Sequence, residues 1–233
     1  MIVAVMQPYF FPYIGYFQLM HAVDTFVFFD DVQYIDRGWV NRNRIPLGGK
    51  AAWLSMPVIH ADRGLAINER RYLLDPGAKS IIQKLEAAYP RKKEQAEARL
   101  IAELIGFEDA NVAKFNANLL QRIAKSLGID CEFLSSSEIL GQCELRGEDR
   151  ILEICKRLGA KDYINPIGGM ALYDPGRFEA AGVQLMFINT KSQPSVEPTG
   201  TIHYSIINTL IQMGLIETSS MLDEYELIRT VKQ

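Results

Sequence analysis

The chain has 233 residues, 48% of them hydrophobic and 23% charged, with a formal net charge of −3 at neutral pH. That length is enough to bury a core without disulfides or metals, and the charge balance excludes a disordered chain or a polybasic nucleic-acid binder; no DNA partner is expected. Cys131, Cys143 and Cys155 are widely spaced with no CxxC pair, which reads as reduced thiols packed as small apolar groups.

Residues 2–6 form a short apolar run ended by Gln7-Pro8, which fits a strand buried on both faces. The start lacks the basic segment of a signal peptide, and no apolar stretch is long enough for a membrane span, so a cytoplasmic protein is expected. Residues 15–22 carry bulky groups at helical spacing, and 25–29 form a second strand stopped by Asp30-Asp31. A helix between two strands argues for a βαβ unit with parallel strands. Residues 52–58 are a third strand candidate, placed near an edge by Pro57.

A helical stretch follows over 78–126, broken at Tyr89-Pro90. Gly128 closes its last helix and leads into a strand over 131–134. Further on, helices are expected over 148–158 and 174–181, strands over 162–164 and 183–188. Residues 201–213 read as a closing helix, with a short one over 221–228. Alternating strands and helices predict an α/β fold: a doubly wound, mostly parallel sheet of Rossmann-like or HUP-like type, with residues 1–233 as a single domain and 69–128 as a helical insertion. Ligands of such sheets bind at the carboxyl ends of the strands.

Polar chemistry concentrates at two such ends. Between residues 7 and 17, three tyrosines and three phenylalanines crowd a turn with Gln7, Pro12 and Gly15. Gly15 would let a ligand approach the backbone, and the first N–H groups of the helix favour an anion. Gln7, Tyr13, Gly15 and Tyr16 are therefore candidate binding residues; a packed aromatic turn is the competing reading. After the second strand come Asp30, Asp31, Gln33, Arg37, Trp39, Asn41, Arg42 and Asn43. Two carboxylates followed by guanidinium and amide groups suit a metal-bound phosphate or a ligand carrying amine and carboxylate. The competing reading is an exposed charged meander. Tyr163 and Gly168 mark a second loop for ligand approach. His203 and Ser205 begin the closing helix, where a cap is the simpler role for Ser205. No histidines share metal-ligand spacing, so no metal site is expected. There is no G-x-S-x-G, no Walker loop and no complete G-x-G-x-x-G.

The segments QPYFFPYIGYF, FFDDVQYIDRGWVNRNRI and WLSMPV, in that order, with ICKRLGAKDYINPIGG and HYSIINTLIQMG later, resemble the WbqC-like proteins. These are bacterial proteins often encoded among genes for surface-polysaccharide (O-antigen) synthesis. The resemblance covers nearly the whole chain, least distinctively over 62–126. It implies an enzyme transferring an acyl or aminoacyl group to an amino sugar, with a nucleotide-sugar or glycan precursor as the small-molecule partner. In that reading Arg37, Arg42 and Asn43 clamp an anionic or sugar group, Asp30 or Asp31 orients the nucleophilic amine or acts as general base, and His203, lining the same site, is the third catalytic candidate. The family's last motif usually reads Ser-Ile-Ile-Asp; Asn208 here removes that carboxylate. The turn around Gly15 is also similar, more weakly, to the H-x-G-H turn of synthetase-like nucleotidyl transferases, with Tyr13 and Tyr16 at the histidine positions. An ATP-dependent ligase using Mg²⁺ and a non-catalytic nucleotide-sugar binding protein are the rival expectations. A homodimer is compatible with each.

Overall fold

The computed structural model describes residues 1–92, 94–192, 195–197 and 200–230. Its elements in chain order are β1 (Ile2–Met6), α1 (Ile14–His21), β2 (Thr25–Phe28), β3 (Arg42–Leu47), β4 (Lys50–Ser55), α2 (Leu74–Ala88), α3 (Ala96–Ile105), α4 (Val112–Ser126), β5 (Glu132–Ser135) and α5 (Ser136–Leu140). Then come α6 (Gly147–Leu158), β6 (Asp162–Pro166), α7 (Pro175–Ala180), β7 (Gln184–Thr190), β8 (Ser195–Glu197), β9 (Gly200–Ile202), α8 (Ile206–Met213), α9 (Leu215–Ser220) and β10 (Tyr225–Arg229).

The main sheet has six strands in the order β10-β7-β6-β1-β2-β5. All neighbours are parallel except β10, which runs antiparallel to β7 at the edge. Each central strand is buried on both faces, so its alternate residues feed two cores. Ala4, Phe26, Phe28, Ile164, Met186 and Ile188 face the core under α1, α4 and α8. Val3, Val5, Val27, Tyr163, Leu185 and Phe187 face the other, which Ile151, Ile154 and Cys155 of α6 and Phe178 of α7 complete. The fold is thus an α/β, mostly parallel sheet covered on both faces, as the alternation of elements predicts.

Three expectations are corrected. The strand expected over 52–58 does not join the main sheet. Lys50–Ser55 pairs antiparallel with Arg42–Leu47 as a separate hairpin. The cause is Gly48-Gly49, whose φ angles of 60° and 74° make the two-residue turn that favours a hairpin. Of residues 221–228 only Met221–Asp223 is helical, as a single 3-10 turn; Tyr225–Arg229 is a strand that covers the edge of β7. Its five residues show no clear period of either kind, and the unpaired edge of β7 decides the outcome. The closing helix also starts later than expected, at Ile206, because Gly200–Ile202 is a short strand paired with Ser195–Glu197. No helix of the described residues is long and apolar enough to cross a membrane.

Candidate active site

Parallel strand order reverses between β1 and β6, since the chain runs from β1 outward through β2 to β5 and then returns to β6 beyond β1. Such a reversal leaves a crevice beyond the carboxyl ends of the strands. The loop 7–13 leaves β1 into this region, and its stranded backbone groups are held from far along the chain. The Asn43 carboxamide donates to the carbonyls of Phe10 (3.3 Å) and Phe11 (2.9 Å), and the Ser205 hydroxyl donates to Phe11 at 2.7 Å. Asn116 Nδ2 donates to Pro8 O at 2.7 Å, and the Tyr16 hydroxyl to Gln7 O, also at 2.7 Å. Phe10 and Phe11 meet edge to face with no exposure, and Phe11 has φ of 42°. The aromatic turn is therefore packed core, cross-braced because buried carbonyls need donors. Gln7, Tyr16, Asn43 and Ser205 all take part in that bracing. Ser205 also caps α8 by accepting from Ile207 N at 3.2 Å. Asn41 donates to Met56 O at 3.0 Å and so holds the exit of β4.

Tyr13 behaves differently. Its ring folds back over Gly15, so that a Cβ at Gly15 would lie 2.4 Å from the ring. The glycine thus makes room for an aromatic ring of the same turn. Tyr13 lies at 4.9 Å, ring to ring, from His203. Both border a cleft of about 560 Å³ at the carboxyl ends of β6 and β7, with Gly168, Asn189, Lys191 and Ser192. Burial lowers the pKa of His203, so its imidazole is neutral at pH 7 and able to accept a proton. Burial raises that of Tyr13, which keeps its phenol protonated as a donor. A larger hollow of about 1220 Å³ runs along the sheet edge between α7 and β10. The smaller cleft is the better candidate, because it lies at strand ends and gathers His203, Tyr13 and Lys191. Asn189 and Lys191 escape the sequence reading. The signal was available, since they follow the apolar run of β7 at its carboxyl end.

The two carboxylates at the end of β2 lie on the other side of β1. Asp30 is 7% exposed and accepts from Ser137 N (3.0 Å), Ser137 Oγ (2.7 Å), Ser136 Oγ (3.1 Å) and Asn68 Nδ2 (3.3 Å). It anchors the start of α5 and the turn at Asn68. Asp31 accepts from Ser136 Oγ and pairs with Arg150, itself 8% exposed. Arg150 also leans on the Phe29 ring, 5.7 Å from its centroid. Both carboxylates are thus occupied by this chain's own donors.

Arg37, Trp39 and Arg42 meet on the outer face of the hairpin. Arg42 donates to Arg37 O and lies 4.0 Å above the Trp53 ring. Arg44 stands 5.4 Å from Trp39 and 5.3 Å from Trp53. The inner residues of the same strands, Asn43, Ile45 and Leu54, are buried, so the period of two sorts arginines outward and bracing residues inward. Gln33 is exposed and donates to Arg63 O at 3.1 Å. Tyr163 has no exposure; it sits on β6, the strand that leads to Gly168, but faces the core completed by α6 and α7, where its hydroxyl accepts from Asn165 Nδ2 at 2.9 Å. The structure thus brings Tyr13, Gly168 and His203 to one cleft and gathers Arg37, Trp39 and Arg42 elsewhere, on the hairpin. Among the described residues no three histidine, cysteine, aspartate or glutamate side chains are grouped to hold a metal.

The model of the WbqC-like protein family matches residues 7–218. The chain belongs to this family. It is also 28% identical over 194 residues, 80% of this chain and 81% of the relative, to the uncharacterized protein Rv1507c of Mycobacterium tuberculosis (strain ATCC 25618 / H37Rv). No solved structure matches it. In this WbqC-like chain the matched region spans the loop 7–13, the hairpin, α4 and the start of α8, and so includes the long-range braces Asn43, Asn116 and Ser205.

Proposed function

We propose that this WbqC-like protein is a cytoplasmic enzyme of bacterial surface-polysaccharide (O-antigen) biosynthesis that transfers an acyl or aminoacyl group to an amino sugar carried on a nucleotide or glycan precursor. The observation that carries the proposal is the Tyr13–His203 pair at a cleft beyond the carboxyl ends of β6 and β7. A neutral imidazole there suits an amine nucleophile. As the nitrogen attacks the carbonyl of an activated acyl donor, the N–C bond forms and His203 takes the amine proton. The carbon–leaving-group bond then breaks, and the proton passes to the leaving group. Tyr13 donates to the developing oxyanion, and Gly168 and Lys191 border the bound precursor. Asp30 and Asp31 act as positioning residues that fix the end of β2, because their oxygens are already taken by serine, asparagine and arginine donors.

The test is turnover of an amino-sugar nucleotide with an activated acyl donor. His203→Gln is expected to lower kcat by about 10²–10⁴-fold, the usual worth of a general base, with melting temperature retained. Unchanged turnover in that variant would remove the mechanism. The strand order also favours a second reading, an ATP-dependent ligase, since nucleotides bind at such reversals. ATP with Mg²⁺ raising the melting temperature would support it over the first.

A further inference from the structure

Arg70 follows a single 3-10 turn, Ile67–Glu69, and is 6% exposed. Among the described residues its guanidinium has no ion pair and no hydrogen bond, and its Nε is buried without a partner. Its neighbour is the Tyr34 ring, 5.1 Å from the guanidinium carbon. A charge withdrawn from water and left unpaired is unfavourable, and buried arginines ordinarily meet a carboxylate, as Arg150 meets Asp31. Arg42 and Arg44 share part of the pattern, although Arg42 also donates to Arg37 O. Each has a buried Nε with no partner, and each is backed by tryptophan, not by an acid.

Tyr34 connects the arginines. Burial and the charge of Asp36 push its pKa up to about 12, and the positive charges of Arg70 and Arg42 oppose that rise. The geometry agrees: Arg70 stands against the Tyr34 ring, and Arg42 donates to Arg37 O within the Ile35–Gly38 turn that directly follows Tyr34. Asp36, the acid felt at this hydroxyl, is exposed and accepts from Arg37 N at 3.0 Å.

We propose that Arg42, Arg44 and Arg70, backed by Tyr34, Trp39 and Trp53, form a binding site for a phosphate-class oxyanion, free or borne on a sugar. Guanidinium groups present paired N–H donors that match phosphate oxygens, and aromatic backing orients them without neutralising their charge. The Tyr34 hydroxyl adds a neutral donor. None of these residues borders the Tyr13–His203 cleft. Binding here needs no turnover, so a protein that failed every transfer assay would still answer the question.

Trp39 and Trp53 are the chain's two tryptophans, so intrinsic emission reports this face directly. Inorganic phosphate, glucose 1-phosphate and, as a neutral control, glucose are titrated at constant ionic strength. A saturable change with either phosphate, absent with glucose, is expected; tighter binding of glucose 1-phosphate would assign the oxyanion to a sugar, tighter inorganic phosphate to the free ion. Arg42→Gln should weaken binding about tenfold or more, the loss of a charge-assisted contact. Arg70→Met should abolish binding and hold or raise the melting temperature without phosphate, because it removes an unpaired buried charge. No saturable change in the wild-type protein, or unchanged affinity in both variants, would overturn the site. If Arg70→Met does not fold, the claim that Arg70 lacks a protein partner falls. Arg42→Gln and Arg44→Gln then decide the anion site, and unchanged affinity in both overturns it.

Discussion

At the scale of single residues, space and charge separate the roles of neighbours that look alike in the sequence. Gly15 has no room for a Cβ because the Tyr13 ring occupies that volume. Gly15→Ala is therefore expected to swing Tyr13 away from His203 and lower turnover, while unfolding in urea shifts by no more than about 1–2 kcal/mol, since the displaced atoms are the tip of a side chain. The Asp31–Arg150 pair is buried on both sides, at 13% and 10% exposure. Asp31→Asn should cost roughly 3–5 kcal/mol by leaving Arg150 unpaired. The double variant Asp31→Asn/Arg150→Met should recover much of that loss in chemical denaturation. If Asp31 were instead a catalytic base, its substitution would cut activity with little change in stability.

At the scale of elements, helix starts and the hairpin carry the site. Ser205 joins two jobs: it caps α8 and holds the Phe11 carbonyl. Ser205→Ala is expected to destabilise by about 1–2 kcal/mol from the cap alone, with a further loss for the buried carbonyl, read as a lower melting temperature. How much of this could be seen in the sequence follows from range. The strand ends at Gln7 and Asp30, the helices 15–22 and 148–158, and Ser205 as a cap are local patterns, and each emerges from spacing. The partners were not legible. Asn43 reaching Phe11, and Arg150 reaching Asp31, depend on which strands become neighbours, which no local period encodes. The strand over 225–229 was missed for the same reason, because an edge of β7 decides it. Asn189 and Lys191 are a different case: their position after an apolar run was visible, but the choice of β7 over β2 as the site's strand required the sheet order.

For the whole molecule, the burial of one histidine shapes the response to acid. His203 is held below its ordinary pKa of 6.5 by burial. The native state therefore binds fewer protons than the unfolded chain at mildly acid pH. Its contribution to stability is complete above pH 6.5 and is lost as the pH falls from there through the lowered native value. Thermal unfolding followed against pH should show this decline in the wild-type protein and a smaller one in His203→Gln. Activity should fall over the same acid limb, because the protonated imidazole accepts no proton.

The bracing of loop 7–13 also has a consequence for synthesis on the ribosome. Its donors lie 32, 108 and 194 residues downstream, at Asn43, Asn116 and Ser205. β1 and β2 can pair as soon as both have emerged, while the turn between them keeps its Phe11 carbonyl short of one donor until α8 is made. His203 arrives with that same segment. A nascent chain can thus hold half its sheet and all of its hairpin while the Tyr13–His203 cleft is still incomplete, so that the cleft forms only after residues 203–205 have emerged.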